Sequence, residues 1–227
     1  MTENFDILKS CPLFSGVEFD RIPAMLKCLG AQRLEFKKGD TVLAEGDPAR
    51  YLGIVLSGRA QVIRMDYYGN RSILTSVAPS QIFGESFACA GLSSLPVTVA
   101  AVEDSSLLLL DAQRITQTCS NTCAFHSRLI FNLLNIVARK NLVFNRKLEI
   151  TSKRSTREKL MAYLLIEAKE QRRDSFSIPY DRQELADYLE VDRSGLSAAI
   201  GKLCREGIIE CQKNRFTLLG GAKAAIY

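Results

Sequence analysis

Two helix starts follow each other closely in the last quarter of the chain, and they restrict its fold more than any other feature. Asp181 precedes the first helix, and Glu184 stands three positions later, which is the spacing of a capping box. Asp192 precedes the second helix in the same way. A short helix, a tight turn and a second capped helix together predict a helix-turn-helix.

The second of these helices has an apolar face and a face of small and polar residues. At about 100° per residue, Leu196, Ala199, Ile200 and Leu203 share one arc, which must face a core. The opposite face is polar or small, and its edges are basic. That face consists of Ser194, Ser197, Ala198, Gly201 and Arg205, with Arg193 and Lys202 at its edges.

A β-hairpin is predicted directly after this helix, which ends at Gly207. Its strands are expected over Ile208–Cys211 and Phe216–Leu219, with two basic residues at the tip between them. A winged helix-turn-helix places its second helix in the major groove of DNA, and its wing touches phosphates. The DNA-binding residues expected on this basis are Arg193, Ser194, Ser197, Lys202, Arg205, Lys213 and Arg215.

A long helix is predicted over residues 128–150, because apolar residues recur there at alternating spacings of four and three. This seam consists of Ile130, Leu134, Val137, Asn141, Phe144 and Leu148. A second strip beside it consists of Leu129, Leu133, Ile136 and Val143. One strip can face the chain's own domain and the other a partner helix, so we expect a homodimer in which Asn141 sets the register. The alternative is a helix that packs only on its own domain.

Short strands separated by turn signals are predicted between Ala31 and Asp111, and such a pattern is typical of a sandwich or barrel. The runs are Thr41–Ala44, Tyr51–Leu56, Ala60–Met65, Ser72–Val77, Val97–Val102 and Ser106–Leu110. A polar stretch at 150–156 is interpreted as a hinge, followed by a helix over residues 156–169. The predicted domains are 1–127, the dimerisation helix 128–150 and the DNA-binding domain 151–227.

Composition and charge point to a globular protein with a polyanionic partner. Apolar residues make up 47% of the chain. Met1–Phe14 lacks the pattern of a signal peptide, and no apolar run is long enough for a bilayer, so we expect a soluble, cytoplasmic protein with no membrane association. Between Arg128 and Arg157 the charged residues are basic except Glu149. This basic region indicates a nucleic acid partner, or else a solvated helix face.

The order of these features resembles the cyclic-AMP-receptor/FNR family of transcription regulators over nearly the whole chain. Five features match the family in the same order along the chain. They are the barrel, Phe83-Gly84-Glu85, the long helix, residues 181–186 and the run Val191–Ser194. The resemblance implies an α+β fold with an N-terminal cupin-like β-roll (a double-stranded β-helix), a long dimerisation helix and a C-terminal winged helix-turn-helix. It further implies a small-molecule effector, a palindromic double-stranded DNA operator and RNA polymerase as a partner.

The chain departs from the members of that family that bind cyclic AMP. Those members follow the Gly-Glu pair with an Arg-Ser pair that grips the cyclic phosphate, and the aligned residues here are Leu95-Pro96, which offer neither a positive charge nor, at Pro96, an N–H donor. Leu142 and Val143 stand where such members place hydroxyls. We therefore expect an effector other than cyclic AMP. The effector-binding residues expected are Gly84, Glu85, Ser86, Leu95, Val97, Asn141 and Phe144.

Glu85 itself allows two interpretations: it bonds a hydroxyl of a ligand, or it satisfies its own loop, and we favour the second. The seven cysteines lack the clustering of an iron–sulfur site, although Cys119 and Cys123 are one helical turn apart. Most of them are expected to be buried structural thiols, and a redox role for an exposed one is an alternative.

His126 is the only histidine. We expect no metal, no cofactor and no catalytic residue, which argues against an enzyme built on the barrel. A cyclic-nucleotide-binding module without DNA function is a further alternative.

Overall fold

The computed structural model of the chain describes residues 6–116 and 124–220, and it divides into two compact units. The first contains the residues up to Asn70 together with Leu74–Asn141, and the second contains Arg71–Ile73 together with the residues from Leu142 onward. None of the helices within the described ranges combines the length and the apolar character that a bilayer crossing requires.

The first unit is built on two four-stranded sheets, which are the predicted barrel, although residues 71–73 of one strand are grouped with the second unit. Their strands are β1 (Gln32–Phe36), β2 (Thr41–Leu43), β3 (Tyr51–Ser57), β4 (Ala60–Met65), β5 (Arg71–Val77), β6 (Ile82–Phe83), β7 (Thr98–Ala101) and β8 (Ser105–Asp111). One sheet has the order β1-β8-β3-β6 and the other β2-β7-β4-β5. The sequence did not predict β1 or β6. The exposed side chains of β1 lack the alternation that marks a half-buried strand.

Short helices accompany this barrel. They are α1 (Asp6–Lys9), α2 (Ile22–Cys28), α3 (Glu85–Cys89) and α4 (Ala112–Thr116), with 3-10 turns at Pro12–Phe14 and Phe19–Arg21.

Strand β8 joins two cores, because it is buried on both faces along its whole length. Leu107 and Leu109 pack between the sheets with Val55, Val62 and Val99. Leu108 and Leu110 point the other way, into a core that the N-terminal helices complete. Alternate residues of a strand face opposite sides, so a run of four leucines can fill both cores at once.

The long helix α5 (Ala124–Thr151) has one buried strip and one exposed strip. Leu129, Leu133 and Ile136 are buried in the core of the first unit, as the second apolar strip predicts. Val143, the last member of that strip, is 50% exposed. The predicted seam is open to solvent, apart from Val137, which is half-buried. The helix begins four residues earlier than the predicted range of 128–150 and ends one residue later.

The second unit contains three further helices and a three-stranded sheet. The helices are α6 (Thr156–Gln171), α7 (Arg182–Leu189) and α8 (Arg193–Arg205). The strands β9 (Ser175–Ser177), β10 (Ile209–Gln212) and β11 (Arg215–Leu218) form a sheet of order β10-β11-β9. The hairpin of β10 and β11 was predicted, whereas the three-residue β9 was not.

Three tyrosines pack together in this second unit. The ring of Tyr180 stacks on that of Tyr188 with centroids 4.9 Å apart, and Tyr163 lies 5.4 Å from Tyr188. Burial raises the pKa of Tyr188 to about 12, with a smaller contribution from Glu167. The cluster thus joins α6, α7 and the segment before α7.

Candidate DNA-binding interface and sensor site

The starts of α7 and α8 have the caps that the sequence predicts. The carboxylate of Asp181 accepts a hydrogen bond from the Glu184 backbone N–H at 2.8 Å, and the Glu184 side chain accepts one from the Asp181 N–H at 2.8 Å. Asp192 accepts from the Gly195 N–H at 2.6 Å and from the Ser194 hydroxyl at 2.6 Å. At each helix start, one of these bonds satisfies a backbone N–H that has no partner within the helix, and so fixes that start.

Helix α8 divides into the two faces expected from its sequence. Leu196, Ile200 and Leu203 are buried, and Ala199 is half-buried. The expected DNA-binding residues of the helix are all exposed, namely Arg193, Ser194, Ser197, Lys202 and Arg205. The face offers two basic residues near its C-terminal end, Arg193 at its N-terminal end and short side chains between them.

The wing presents its basic residues at an exposed tip. Lys213 lies in the left-handed region with φ 55°, which closes the tight turn between β10 and β11. Lys213 and Arg215 are both exposed, and Arg215 donates a hydrogen bond to Ser175 at 3.2 Å. Arg182, which the sequence argument did not select, donates to the Lys213 carbonyl at 3.3 Å and so ties α7 to the tip.

The Gly-Glu pair of the first unit lies where β6 passes into α3. Gly84 has φ +79°, and a Cβ atom there would come within 2.9 Å of the Tyr51 carbonyl oxygen. Glycine is therefore required at this position, both by its conformation and by the space available. It turns the chain so that Glu85, the first residue of α3, lies inside the unit with only 2% of its surface exposed.

Lys140 of α5 neutralises this buried carboxylate. Its ammonium is 2.9 Å from Glu85 Oε1 and donates to the Ile82 carbonyl at 2.5 Å. Ser86 donates to the same Glu85 oxygen at 3.3 Å, while Glu85 Oε2 is buried without a hydrogen-bond partner. The partner of Glu85 is thus a residue distant in sequence, to which no local sequence pattern connects it. The residue of α5 that contacts Glu85 is Lys140. Leu142 and Val143, which were expected near a ligand, are exposed positions of the same helix.

The remaining expected effector-binding residues differ in their burial. Leu95 and Val97 are buried in the core between the sheets, whereas Pro96 between them is exposed. The Leu95 N–H is bonded to the Asp47 carbonyl at 2.8 Å. Asn141 and Phe144 are exposed positions of α5. The structure therefore groups Gly84, Glu85 and Ser86 with Lys140, while Leu95 and Val97 have a packing role.

The expectation that most cysteines are buried is wrong. Cys11 is buried, and burial raises its pKa to about 11. Cys28, Cys89 and Cys204 are exposed and Cys211 is half-buried, because they lie on helix surfaces and on the wing. Cys119 and Cys123 lie outside the described residues. Within residues 6–116 and 124–220, no three His, Cys, Asp or Glu side chains come together as metal ligands do.

Two family models match the chain, and their positions agree with the two units. The cyclic nucleotide-binding domain matches residues 33–122, and the Crp-like helix-turn-helix domain matches residues 158–221. The chain belongs to the CRP/FNR family. The family's fold agrees with the predicted β-roll, long helix and winged helix-turn-helix.

Relatives and solved structures of the CRP/FNR family are similar to this chain over different lengths. A CRP-like cAMP-activated global transcriptional regulator of Mycobacterium tuberculosis is 40% identical over 80 residues, which is 35% of each chain. The match therefore spans about a third of that relative. The Cyclic AMP receptor protein of Thermus thermophilus is 26% identical over 205 residues, 89% of each chain.

A crystal structure of another CRP/FNR family regulator from Thermus thermophilus has a TM-score of 0.60 at 25% identity, and covers 86% of this chain and 98% of its own. These relatives are regulators and receptors, in agreement with the expectation that this CRP/FNR chain is not an enzyme.

Proposed function

We propose that this protein regulates transcription by binding a palindromic DNA operator as a homodimer, under the control of a small-molecule effector other than cyclic AMP. The observation that carries the DNA-binding part is the exposed face of α8, which has Arg193, Ser194 and Ser197 at its capped start. The N-terminal residues of a recognition helix are those that reach base edges in the major groove. The polar surface of α8 has no packing role in its own unit, since its apolar side is already buried.

Base readout and phosphate contact fall to different residues in this proposal. Arg193 is the long donor at the start of α8, and an arginine pairs with the O6 and N7 atoms of guanine through two hydrogen bonds. Lys202 and Arg205 lie further along the helix, and Lys213 and Arg215 lie at the wing. Their charges are suited to phosphates, which supply affinity with little sequence preference.

Dimerisation is inferred from the exposed apolar strip of α5. Leu134 is 64% exposed, Phe144 45% and Leu148 67%, which is unusual for large apolar residues on one helix face. The spacing of these residues fits a parallel pair of helices. In a two-fold symmetric dimer, the copies of each residue on both subunits would be buried. A dimer also provides two copies of α8, as a palindromic operator requires.

The effector is proposed not to be cyclic AMP for two reasons. Leu95 is buried and its neighbour Pro96 has no N–H, so this segment offers no cation for a phosphate. Glu85, the residue that the family resemblance assigns to a ligand, is already paired with Lys140. Titration calorimetry with millimolar cyclic AMP on the full chain is expected to give no binding heat. Tight binding would overturn this part of the proposal.

The DNA-binding part is tested by selecting operators from a random pool with the purified protein, followed by fluorescence anisotropy on the selected duplex and on a scrambled duplex of equal length. We expect an enriched inverted repeat and tighter binding to the selected duplex. Enrichment of no sequence, with equal affinity for both duplexes, would contradict sequence-specific regulation. The same duplex can then be used to test whether this protein binds RNA polymerase, the partner expected from the family, when cytoplasmic extract is added.

A further inference from the structure

A cavity of about 190 Å³ lies between helix α2 and the start of α5 in the first unit. The described residues that line it are Arg21, Ala24, Met25, Cys28, Leu29, His126 and Leu129. The residues expected from the sequence to bind an effector are not among them. The cavity is therefore a separate feature of the first unit.

The floor of the cavity is apolar and firmly packed. Met25, Leu29 and Leu129 are buried in the core of the first unit. The Leu29 N–H donates to the Met25 carbonyl at 2.8 Å, and the Leu29 carbonyl accepts from the Asp111 N–H at 3.3 Å. These contacts fix the floor, so a ligand would meet a pre-formed apolar surface.

Small side chains on α2 leave the cavity open towards solvent. Ala24 and Cys28 are four residues apart, so they share one face of α2, and both are exposed. On the opposite wall, α5 contributes His126, which is buried, and Leu129. A ligand can therefore enter past Ala24 and Cys28 without displacing the buried residues.

The volume of the cavity limits its occupant to a single ring or a group of similar bulk. An apolar cavity of about 150 Å³ is large enough to bind benzene. Pockets for drug-sized ligands and cofactors have volumes of about 300–1,000 Å³. The cavity is thus too small for a cyclic nucleotide and is well matched to a compact apolar body.

The mouth of the cavity carries positive charge. Arg21 lies there, and its ion pairs with Glu18 at 3.7 Å and Asp20 at 3.9 Å are long and exposed to solvent. Exposed pairs of this kind contribute little stability, so the guanidinium can turn to a ligand carboxylate and hold it through two hydrogen bonds. Arg114, which donates to the Cys28 carbonyl at 3.2 Å, adds a second cation beside the lining residues.

We propose that this cavity binds a small organic carboxylate with a compact apolar body, of about the size of benzoate. The carboxylate pairs with Arg21, and the apolar body packs on Met25, Leu29 and Leu129. Such a ligand is the class of effector that the proposed function requires. The regulatory part of this inference rests on the proposed function, whereas binding to the cavity does not.

A ligand in the cavity would join α2 to the start of α5. Leu129 lines the cavity, and the next residue, Ile130, belongs to the strip proposed to form the dimer. Three residues beyond Leu129, the Asn132 side chain donates to the Leu13 and Ser15 carbonyls at 2.9 and 2.8 Å, which anchors this part of α5 to the N-terminal segment. A ligand packed on Leu129 adds to that anchoring. We expect it to favour the dimer and so to tighten operator binding.

Three probes separate the parts of the proposal when they are added to the full chain. Benzoate has a ring and a carboxylate, toluene has only the ring, and acetate has only the carboxylate. His126 is the only histidine and lines the cavity, so isotope-labelled histidine gives a single site-specific NMR signal. We expect benzoate to shift this signal to saturation, toluene to shift it with weaker affinity, and acetate to leave it unchanged.

Two outcomes of this titration would overturn the proposal. Absence of a response to benzoate at millimolar concentration would show that the cavity binds no ligand of this class. Equal affinities for benzoate and toluene would show that the carboxylate is not recognised.

Variants then test the two parts of the cavity separately. Arg21→Gln removes the cation and should weaken benzoate about ten-fold while toluene binds as before. Ala24→Leu fills the cavity and should abolish the response to both probes. Lys27→Gln is the matched control, because Lys27 is an exposed cation of α2 that is not among the lining residues. Unchanged benzoate affinity in Arg21→Gln, or retained binding in Ala24→Leu, overturns the assignment of the site.

The regulatory effect is measured by anisotropy on the selected operator with and without saturating benzoate. We expect affinity for the operator to rise about ten-fold in the wild type and in Lys27→Gln, and to stay constant in Ala24→Leu. Binding of benzoate without any rise in operator affinity overturns the regulatory role. Failure of the protein to bind any operator contradicts the proposed function instead, and the His126 titration still decides whether the cavity binds the carboxylate.

Discussion

Replacing Lys140 with methionine is expected to destabilise the first unit more than replacing Glu85 with glutamine. Lys140→Met leaves the Glu85 carboxylate almost fully buried, with the Ser86 hydroxyl at 3.3 Å as its remaining contact on Oε1 and none on Oε2. Removing one partner of a buried ion pair costs about 3–5 kcal/mol. The Lys140 side chain is 29% exposed, so water reaches its end of the pair and reduces the expected cost to about 2–3 kcal/mol. In Glu85→Gln the ammonium can still extend to solvent, and the expected cost is about 1 kcal/mol.

The measurement is thermal unfolding of the full chain and these variants under one set of conditions. Each kcal/mol corresponds to about 2–4 °C in Tm for a protein of this size. Arg139→Met is the matched control, because Arg139 is the exposed neighbour of Lys140 on α5 and its loss uncovers no buried charge. The double variant Glu85→Gln/Lys140→Met removes both charges and should be more stable than Lys140→Met alone. If Lys140→Met unfolds at the wild-type temperature, or if the two single effects simply add, Glu85 does not depend on Lys140 and the reasoning is refuted.

Three further predictions concern the proposed interfaces and a helix cap. Leu134→Glu and Phe144→Glu should each give monomers in light scattering, because each apolar residue buried in the dimer contributes about 1.5–3 kcal/mol per subunit; an unchanged mass would contradict the assigned seam. Arg193→Ala should lower affinity for the selected operator by about 1–3 kcal/mol more than for scrambled DNA. Lys213→Ala should weaken both alike and reduce the salt slope by about one; equal losses for Arg193→Ala on both duplexes would remove it from base readout. Hydrogen bonds from Ser194 and Gly195 hold the pKa of Asp192 below its usual value, so its stabilising effect is present above about pH 4 and is lost as pH falls through the lowered pKa. Acid titration of the second unit's unfolding should therefore differ between the wild type and Asp192→Ala, and identical profiles would show that the cap contributes nothing.

Local patterns in the sequence predicted those parts of the fold that depend on neighbours along the chain. The caps at Asp181 and Asp192 depend on residues three positions away, and the faces of α8 depend on one helical period. The two strips of α5 were separable for the same reason. The hairpin of β10 and β11 was predicted because its turn and both its strands are contiguous.

Features that depend on contacts distant in sequence were missed. The pairing of Glu85 with Lys140 joins α3 to α5, and no spacing rule connects the two residues. Strand β9 has three residues and forms only because β11 pairs with it. Leu95 and Val97 stay predicted effector contacts, and their burial between the sheets is a further feature that the sequence pattern did not reveal.

The tyrosine cluster gives the second unit an intrinsic spectroscopic signal. The chain contains no tryptophan, so tyrosine emission is not lost by energy transfer to an indole. Tyr163, Tyr180 and Tyr188 are packed against one another, whereas Tyr67 and Tyr68 on the β4–β5 turn are 97% and 85% exposed. Rings held in fixed, asymmetric surroundings dominate near-ultraviolet circular dichroism. The tyrosine band of the unlabelled protein should therefore report mainly on the second unit, with a smaller contribution from Tyr51, which packs against the core of the first unit.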